Sequence, residues 1–151
     1  MEDDIAIKEY SATDKDAIFD LLSQTNLPIE DLTDDKLNHF IIAKRQDETL
    51  IGVVGIEFHK EMGLLRSLVV HPLYRNRGLG HLLVNHIESV ARQKGIKKLY
   101  LLTMTASDYF PRLGYEFTER EAVPASIKET DEFKSICPAS AVCLSKILPL
   151  S

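Results

Sequence analysis

The residues best suited to chemistry, by type and spacing, are Arg75-Asn76-Arg77-Gly78-Leu79-Gly80. They follow an apolar run over 63–70 and the break His71-Pro72-Leu73-Tyr74, and they open an amphipathic segment over 78–94. A strand, a glycine turn and a helix start together make a cradle for phosphate. The first N–H groups of a helix have no partner inside it, and the helix dipole favours an anion there. Glycine lets a backbone approach its ligand with no Cβ in the way. The spacing is neither the dinucleotide fingerprint Gly-x-Gly-x-x-Gly nor the P-loop, which needs Gly-Lys-Ser/Thr.

The elements that must hold this cradle follow from periodicity. A first strand is expected over 5–10. A helix over 14–24 is capped from Ser11 and Thr13, with Ile18, Leu21 and Leu22 inward. A loop or short helix interrupted by Pro28 covers 26–35, and strands over 40–44 and 49–59 are joined by 45–48. The strand over 63–70 follows a turn at 60–62. The segment 78–94 is the clearest helix, with Leu79, Leu82, Leu83, Ile87, Val90 and Ala91 at helical spacing and Gly95 as its C-cap. A strand over 98–103, a short helix over 106–113 ending at Gly114, and strands over 115–121 and 139–146 complete the order. The connection 124–137 is expected to carry a helical turn around 126–133. This is an α+β order: a mostly antiparallel sheet with one crossover, from Val70 through the helix to Leu99, making a parallel pair.

The whole chain narrows the function classes. Its 151 residues suit one domain over 1–151. A net charge of −5 argues against general nucleic-acid binding. Within this acidic background Arg66, Arg75 and Arg77 favour a small anionic ligand over a polyanion. Cys137 and Cys143 form no disulfide framework, no Cys-x-x-Cys occurs and the five histidines are scattered, so no metal site is expected. A reduced, cytoplasmic setting is the expectation. The acidic start Met1-Glu2-Asp3-Asp4 does not read as a signal peptide, and no apolar run has the length of a membrane span.

At this point the residues resemble a known superfamily, the GNAT acyl-CoA-dependent N-acyltransferases. The resemblance runs from Leu68-Val69-Val70-His71-Pro72-Leu73-Tyr74-Arg75 through Gly78-Leu79-Gly80. It continues along the strand 99–103 and ends at Tyr109-Phe110-Pro111-Arg112-Leu113-Gly114-Tyr115. Four further runs stand out: Gly63-Leu64-Leu65-Arg66-Ser67, Leu101-Leu102-Thr103-Met104-Thr105-Ala106, Val123-Pro124-Ala125-Ser126-Ile127, and 133–137 leading into Pro138-Ala139-Ser140-Ala141. These resemble acetyltransferases associated with arsenic resistance, which are similar to the acetyltransferase domain of N-acetylglutamate synthases. The resemblance implies a GNAT fold: a mixed, mostly antiparallel sheet with splayed central parallel strands and flanking helices. It implies acetyl-CoA as co-substrate, a small-molecule amine as acceptor, no nucleic acid or membrane partner, and a homodimer as one possible assembly.

The same resemblance distributes roles. Backbone groups of Leu68, Val69 and Val70 would pair with the pantetheine arm in the manner of β-augmentation. The pyrophosphate would sit on the N–H groups of Arg75, Asn76, Arg77, Gly78, Leu79 and Gly80, with the Arg75 and Arg77 side chains near phosphate. Phe110 would also contact the cofactor. Acetyl transfer needs a neutral amine, a polarised carbonyl and a proton for the thiolate. An α-amino group, with a pKa of about 7.7–8.0, is partly protonated at neutral pH. The Val70 N–H is the candidate oxyanion donor.

Many superfamily members carry a Glu on the strand before the loop. Here 63–70 holds no carboxylate, so Glu57 on the preceding strand is the candidate base, with a water chain as the other route. His71 precedes a proline turn and reads more readily as structural. The expected acid, a Tyr four residues before Gly114, is Phe110 here. Tyr109, turned by about 100° on a helix, is the candidate in its place. Strand alternation places Leu64, Arg66 and Leu68 on one face and Leu65, Ser67 and Val69 on the other. A buried Arg66 either pairs with a carboxylate such as Glu57 or receives an anionic acceptor, with Thr105, Lys128 and Ser140 completing that pocket. Two other functions fit: a CoA-binding module without catalysis, and an acetyltransferase for protein N-termini or lysines.

Overall fold

The computed structural model describes residues 5–25, 29–75, 78–103, 108–131, 133–134 and 141–149. The strands are β1 (Ile5–Glu9), β2 (Phe40–Arg45), β3 (Leu50–His59), β4 (Met62–Val70), β5 (Lys98–Thr103), β6 (Glu116–Phe117) and β7 (Val142–Ile147). They form a seven-stranded sheet in the order β1-β2-β3-β4-β5-β7-β6. β4 and β5 run parallel, while β1–β2, β2–β3, β5–β7 and β6–β7 are antiparallel. The α-helices among the described residues are α1 (Lys15–Gln24), α2 (Asp34–Leu37), α3 (Leu79–Gln93) and α4 (Ala125–Lys128). None of the described helices is long and apolar enough to cross a membrane. Contacts group the chain into two compact units, Met1–Ile56 with Ser67–Glu88, and Glu57–Arg66 with Ser89–Ser151.

In the first unit α1 lays Ile18, Leu21 and Leu22 into a cluster with Leu37, Phe40, Ile42, Val53 and Val69. The start of α1 is tied to the sheet by charge. Asp14 is buried, accepts from the Ser11 N–H at 3.2 Å and meets Lys44 Nζ at 2.6 Å. That bond to Asp14 raises the Lys44 pKa despite the opposing effect of burial. Phe40 stands opposite Gly55 in the β2–β3 ladder, and a Cβ built on Gly55 would run into the Phe40 ring. Gly55→Val is therefore expected to destabilise the protein by about 1–3 kcal/mol through overpacking, read as a lower urea midpoint. An unchanged midpoint would contradict this packing.

The buried stripe of α3 is Leu79, Leu83, Val84, Ile87 and Ala91, with Glu88 also buried. Leu82, expected inward, is exposed. It lies about 140° around the helix from Ile87, outside the stripe, whereas Val84 falls within it. The helix ends at Gln93, and Gly95 two residues beyond takes φ 83°.

In the second unit β5 pairs antiparallel with β7 from Lys98↔Ile147 to Thr103↔Val142. Leu64, Tyr100, Val123, Ile127 and Cys143 form its buried cluster. Two strand expectations change here. β6 covers only Glu116–Phe117, where 115–121 had read as strand, because a 3-10 turn at Arg120–Ala122 takes the chain away. β7 begins at Val142, and the segment 135–140 before it lies outside the described residues.

Candidate functional site

The described residues of the junction singled out in the sequence are the end of β4, the turn over 71–75 and the helix start from Gly78, all in the first unit. The His71 N–H donates to Ile51 O on β3 at 2.7 Å. Within a strand, the N–H and C=O of one residue point to the same edge, and edges alternate along the chain. The backbone groups of Val70 and Leu68 therefore face away from β3. The Val69 carbonyl faces β3 instead, 3.4 Å from a Cβ built on Gly52, so the edge groups of this strand end belong to Leu68 and Val70.

The turn beyond is closed by several bonds. His71 Nδ1 accepts from the Leu73 N–H at 3.2 Å, and His71 O accepts from the Tyr74 N–H at 2.8 Å. This gives His71 a structural cap role. Tyr74 is buried with the Arg45 guanidinium 5.8 Å from its ring centroid. Arg75 folds back so that its Nε–H donates to Val70 O at 3.0 Å.

Gly78 has φ 79°, and nothing among the described residues lies within 4 Å of a Cβ built there. The Gly78 carbonyl accepts from the Leu82 N–H at 3.1 Å as α3 begins, and Leu79 is buried beneath it. Gly80 is half-buried in the first turn of α3, which contains no acidic residue to compete for an anion. Asn76 and Arg77 lie outside the described residues.

β4 changes character in mid-strand. Its ladder with β5 comprises Met62↔Lys98, Gly63↔Leu99 and Leu64↔Tyr100. Ser67 then takes φ 61°, a left-handed value in a non-glycine residue. The simple alternation expected along 63–70 stops at this kink. Sequence reasoning did not find it, because a serine gives no signal for a positive φ.

Arg66, just before the kink, has a wholly buried side chain, and its Nη1 donates to Glu57 Oε2 at 2.7 Å. His59 Nε2 stands 3.4 Å from Glu57 Oε1. Of the two readings of Arg66, pairing with Glu57 is the arrangement seen, and both oxygens of the candidate base Glu57 have neighbours in the β3–β4 hairpin. His59 was missed, although it lies two residues beyond Glu57 and so shares its strand face.

Tyr109 is half-buried at the start of a 3-10 turn, Phe110–Leu113, and burial raises its phenol pKa above the ordinary value. The phenol therefore stays protonated through neutral pH. Phe110 is buried edge-on between Tyr109 at 5.4 Å and Tyr115 at 5.5 Å. That packing makes it a core ring of the second unit. Gly114, with φ 97°, ends the turn, and Lys146 Nζ donates to Leu113 O at 2.8 Å. Lys128 is exposed and donates to Glu121 O at 3.0 Å. Thr105 and Ser140, the other acceptor candidates, lie outside the described residues.

Cys143 is buried, and its thiol is pushed up to about 11 by that burial. At pH 8 it is a thiol and not a thiolate. Native protein treated with iodoacetamide at pH 8 is expected to leave Cys143 unmodified until denaturant is added, as followed by peptide mass spectrometry. Rapid native labelling of Cys143 would overturn its assignment as an inert core residue. Cys137 lies outside the described residues.

The model of the acetyltransferase (GNAT) family matches residues 3–115. An uncharacterized N-acetyltransferase of Chlorobaculum tepidum is 34% identical over 92 residues, 60% of this chain and 58% of that protein. An amino-acid acetyltransferase of Yersinia pseudotuberculosis is 32% identical over 95 residues, 62% of this chain and 22% of that protein. The matches thus span less than two thirds of either relative. The N-acetylglutamate synthase of Neisseria gonorrhoeae, crystallised with coenzyme A and N-acetyl-glutamate, superposes with a TM-score of 0.83 at 20% identity. That likeness covers 99% of this chain and 36% of the synthase, and at such identity it establishes fold. The strand–turn–helix geometry and a family match over most of its length agree: the chain belongs to the acetyltransferase (GNAT) family.

Proposed function

We propose that this chain transfers an acetyl group from acetyl-CoA to the amine of a small, amino-acid-like acceptor, by direct attack on the thioester. The acceptor class includes glutamate analogues and their arsenic- or phosphorus-bearing counterparts. The observation that carries the reading is the β4–turn–α3 junction. There the strand edge that carries the backbone groups of Leu68 and Val70, turned away from β3, is followed by the left-handed Gly78 and a helix start without acidic residues. These features fit the two parts of the donor: an amide-bearing arm that extends a strand edge, and a pyrophosphate that needs N–H groups and an unobstructed approach.

In this reading the neutral amine attacks the thioester carbon and the carbonyl becomes an oxyanion that accepts from the Val70 N–H. The intermediate collapses with loss of the CoA thiolate, and Tyr109 supplies its proton. The amine proton leaves through water, since Arg66 and His59 already stand against Glu57. The amino-acid relatives and the synthase-like fold favour an acceptor that carries a carboxylate.

The test is calorimetry with acetyl-CoA, then thiol release with a panel of glutamate analogues. Tight binding, turnover with a member of the panel, and a kcat about a hundredfold lower in Tyr109→Phe are expected. Failure to bind acetyl-CoA would remove the reading. Binding without thiol release on any amine would favour the non-catalytic module, a reading supported by the occupied Glu57 and by Phe110 where a hydroxyl was expected.

A further inference from the structure

We propose that Arg75 is a strand clasp, a positioning residue for the pantetheine arm that acts through its Nε–H and not through its charge. The proposal rests on the acetyl-CoA reading above. Val70 ends β4, and its N–H and C=O lie on the edge away from β3, because the His71 N–H is committed to Ile51 O. An unpaired strand edge offers both a donor and an acceptor to an extended partner. The Arg75 Nε–H donates to Val70 O at 3.0 Å and so satisfies the last carbonyl of that edge. An arm adding to the strand therefore meets a Val70 N–H but a carbonyl already bonded. Its register is set at that point, which leaves the Val70 N–H for the acyl carbonyl. The clasp is held from behind by the turn: the His71 cap on the Leu73 N–H, the Tyr74 N–H on His71 O, and the buried Tyr74 ring.

A clasp and a phosphate ligand make different demands on one side chain. The clasp needs an N–H donor at the Nε position, and a phosphate ligand needs positive charge. Glutamine places an amide N–H as many bonds from Cα as Arg Nε, without charge. Lysine keeps the charge but has a methylene at that position. Methionine has neither.

The experiment measures CoA affinity by calorimetry and the acetyl-CoA KM for wild type, Arg75→Gln, Arg75→Lys and Arg75→Met, with thermal melts as a folding control. Lys and Met are expected to weaken CoA by about tenfold, and Gln to restore at least threefold of that loss, on the scale of one hydrogen bond. A Lys variant tighter than Gln would overturn the proposal in favour of a charge contact, and so would equal affinity in all three variants. A readout without ligand accompanies this. In 15N NMR of the free wild-type protein, the Arg75 Nε–H is expected to be protected from exchange at neutral pH. Rapid exchange would overturn the clasp itself. A wild type with a protected Nε–H that fails to bind CoA would instead remove the acetyl-CoA reading, and with it the role of the clasp in recognition.

Discussion

Arg66→Met is expected to lower the unfolding free energy by about 3–5 kcal/mol, the usual result of removing one partner from a buried ion pair. The Arg66 side chain has no solvent exposure and its Nη1 donates to Glu57 Oε2 at 2.7 Å. Removing the guanidinium leaves a largely buried carboxylate beside His59, whose distance of 3.4 Å makes it the weaker neighbour. The double variant Glu57→Gln/Arg66→Met is expected to recover part of the loss, because it removes the buried charge together with its partner. Urea unfolding followed by circular dichroism measures all three proteins. A loss below about 1 kcal/mol in the single variant, the range of an exposed pair, would show that the ion pair is not buried in solution.

Gly78→Val is expected to raise the acetyl-CoA KM by tenfold or more while lowering stability by only about 1–3 kcal/mol. The φ of 79° is left-handed, and a β-branched residue avoids that region. Because nothing among the described residues crowds a Cβ there, the strain acts through φ alone and displaces the loop, not the core. The displaced N–H groups are those that the acetyl-CoA reading assigns to the pyrophosphate. Gly78→Asn is expected to fall between wild type and Val, since asparagine tolerates the left-handed region better. Steady-state kinetics at varied acetyl-CoA decide the matter. Equal KM values in Val and wild type would mean that the conformation of Gly78 is not used for binding.

Much of the architecture was legible in the residues. The stripe of Leu79, Leu83, Ile87 and Ala91 repeats at helical spacing, so α3 and its buried side could be read directly, apart from Leu82. The crossover from β4 through α3 to a parallel β5 followed from the order of elements. Other features were not legible. β7 lies between β5 and β6 in space although it follows both in the chain, and no local pattern encodes that insertion. β6 shrank to Glu116–Phe117 because the chain turns away at Arg120, a turn that carries no glycine or proline signal.

The candidate site divides along the same line. Gly78 before an amphipathic run already specifies a turn into a helix start, because glycine's tolerance of positive φ and the helix's orphan N–H groups are properties of adjacent residues. The turn into the helix start was therefore determined by the sequence alone. The partner of Arg66 was not: a carboxylate and an anionic ligand were equally consistent with its burial, and strand pairing brought Glu57 to it. Nor did the residues foretell the left-handed Ser67, or that Val69 faces β3 while Leu68 and Val70 face the other edge. Those depend on register, which links residues far apart in the chain, and a one-residue shift would exchange every edge group. Tertiary structure alone decided which backbone groups of β4 remain available and which side chain, Arg75, closes the last of them.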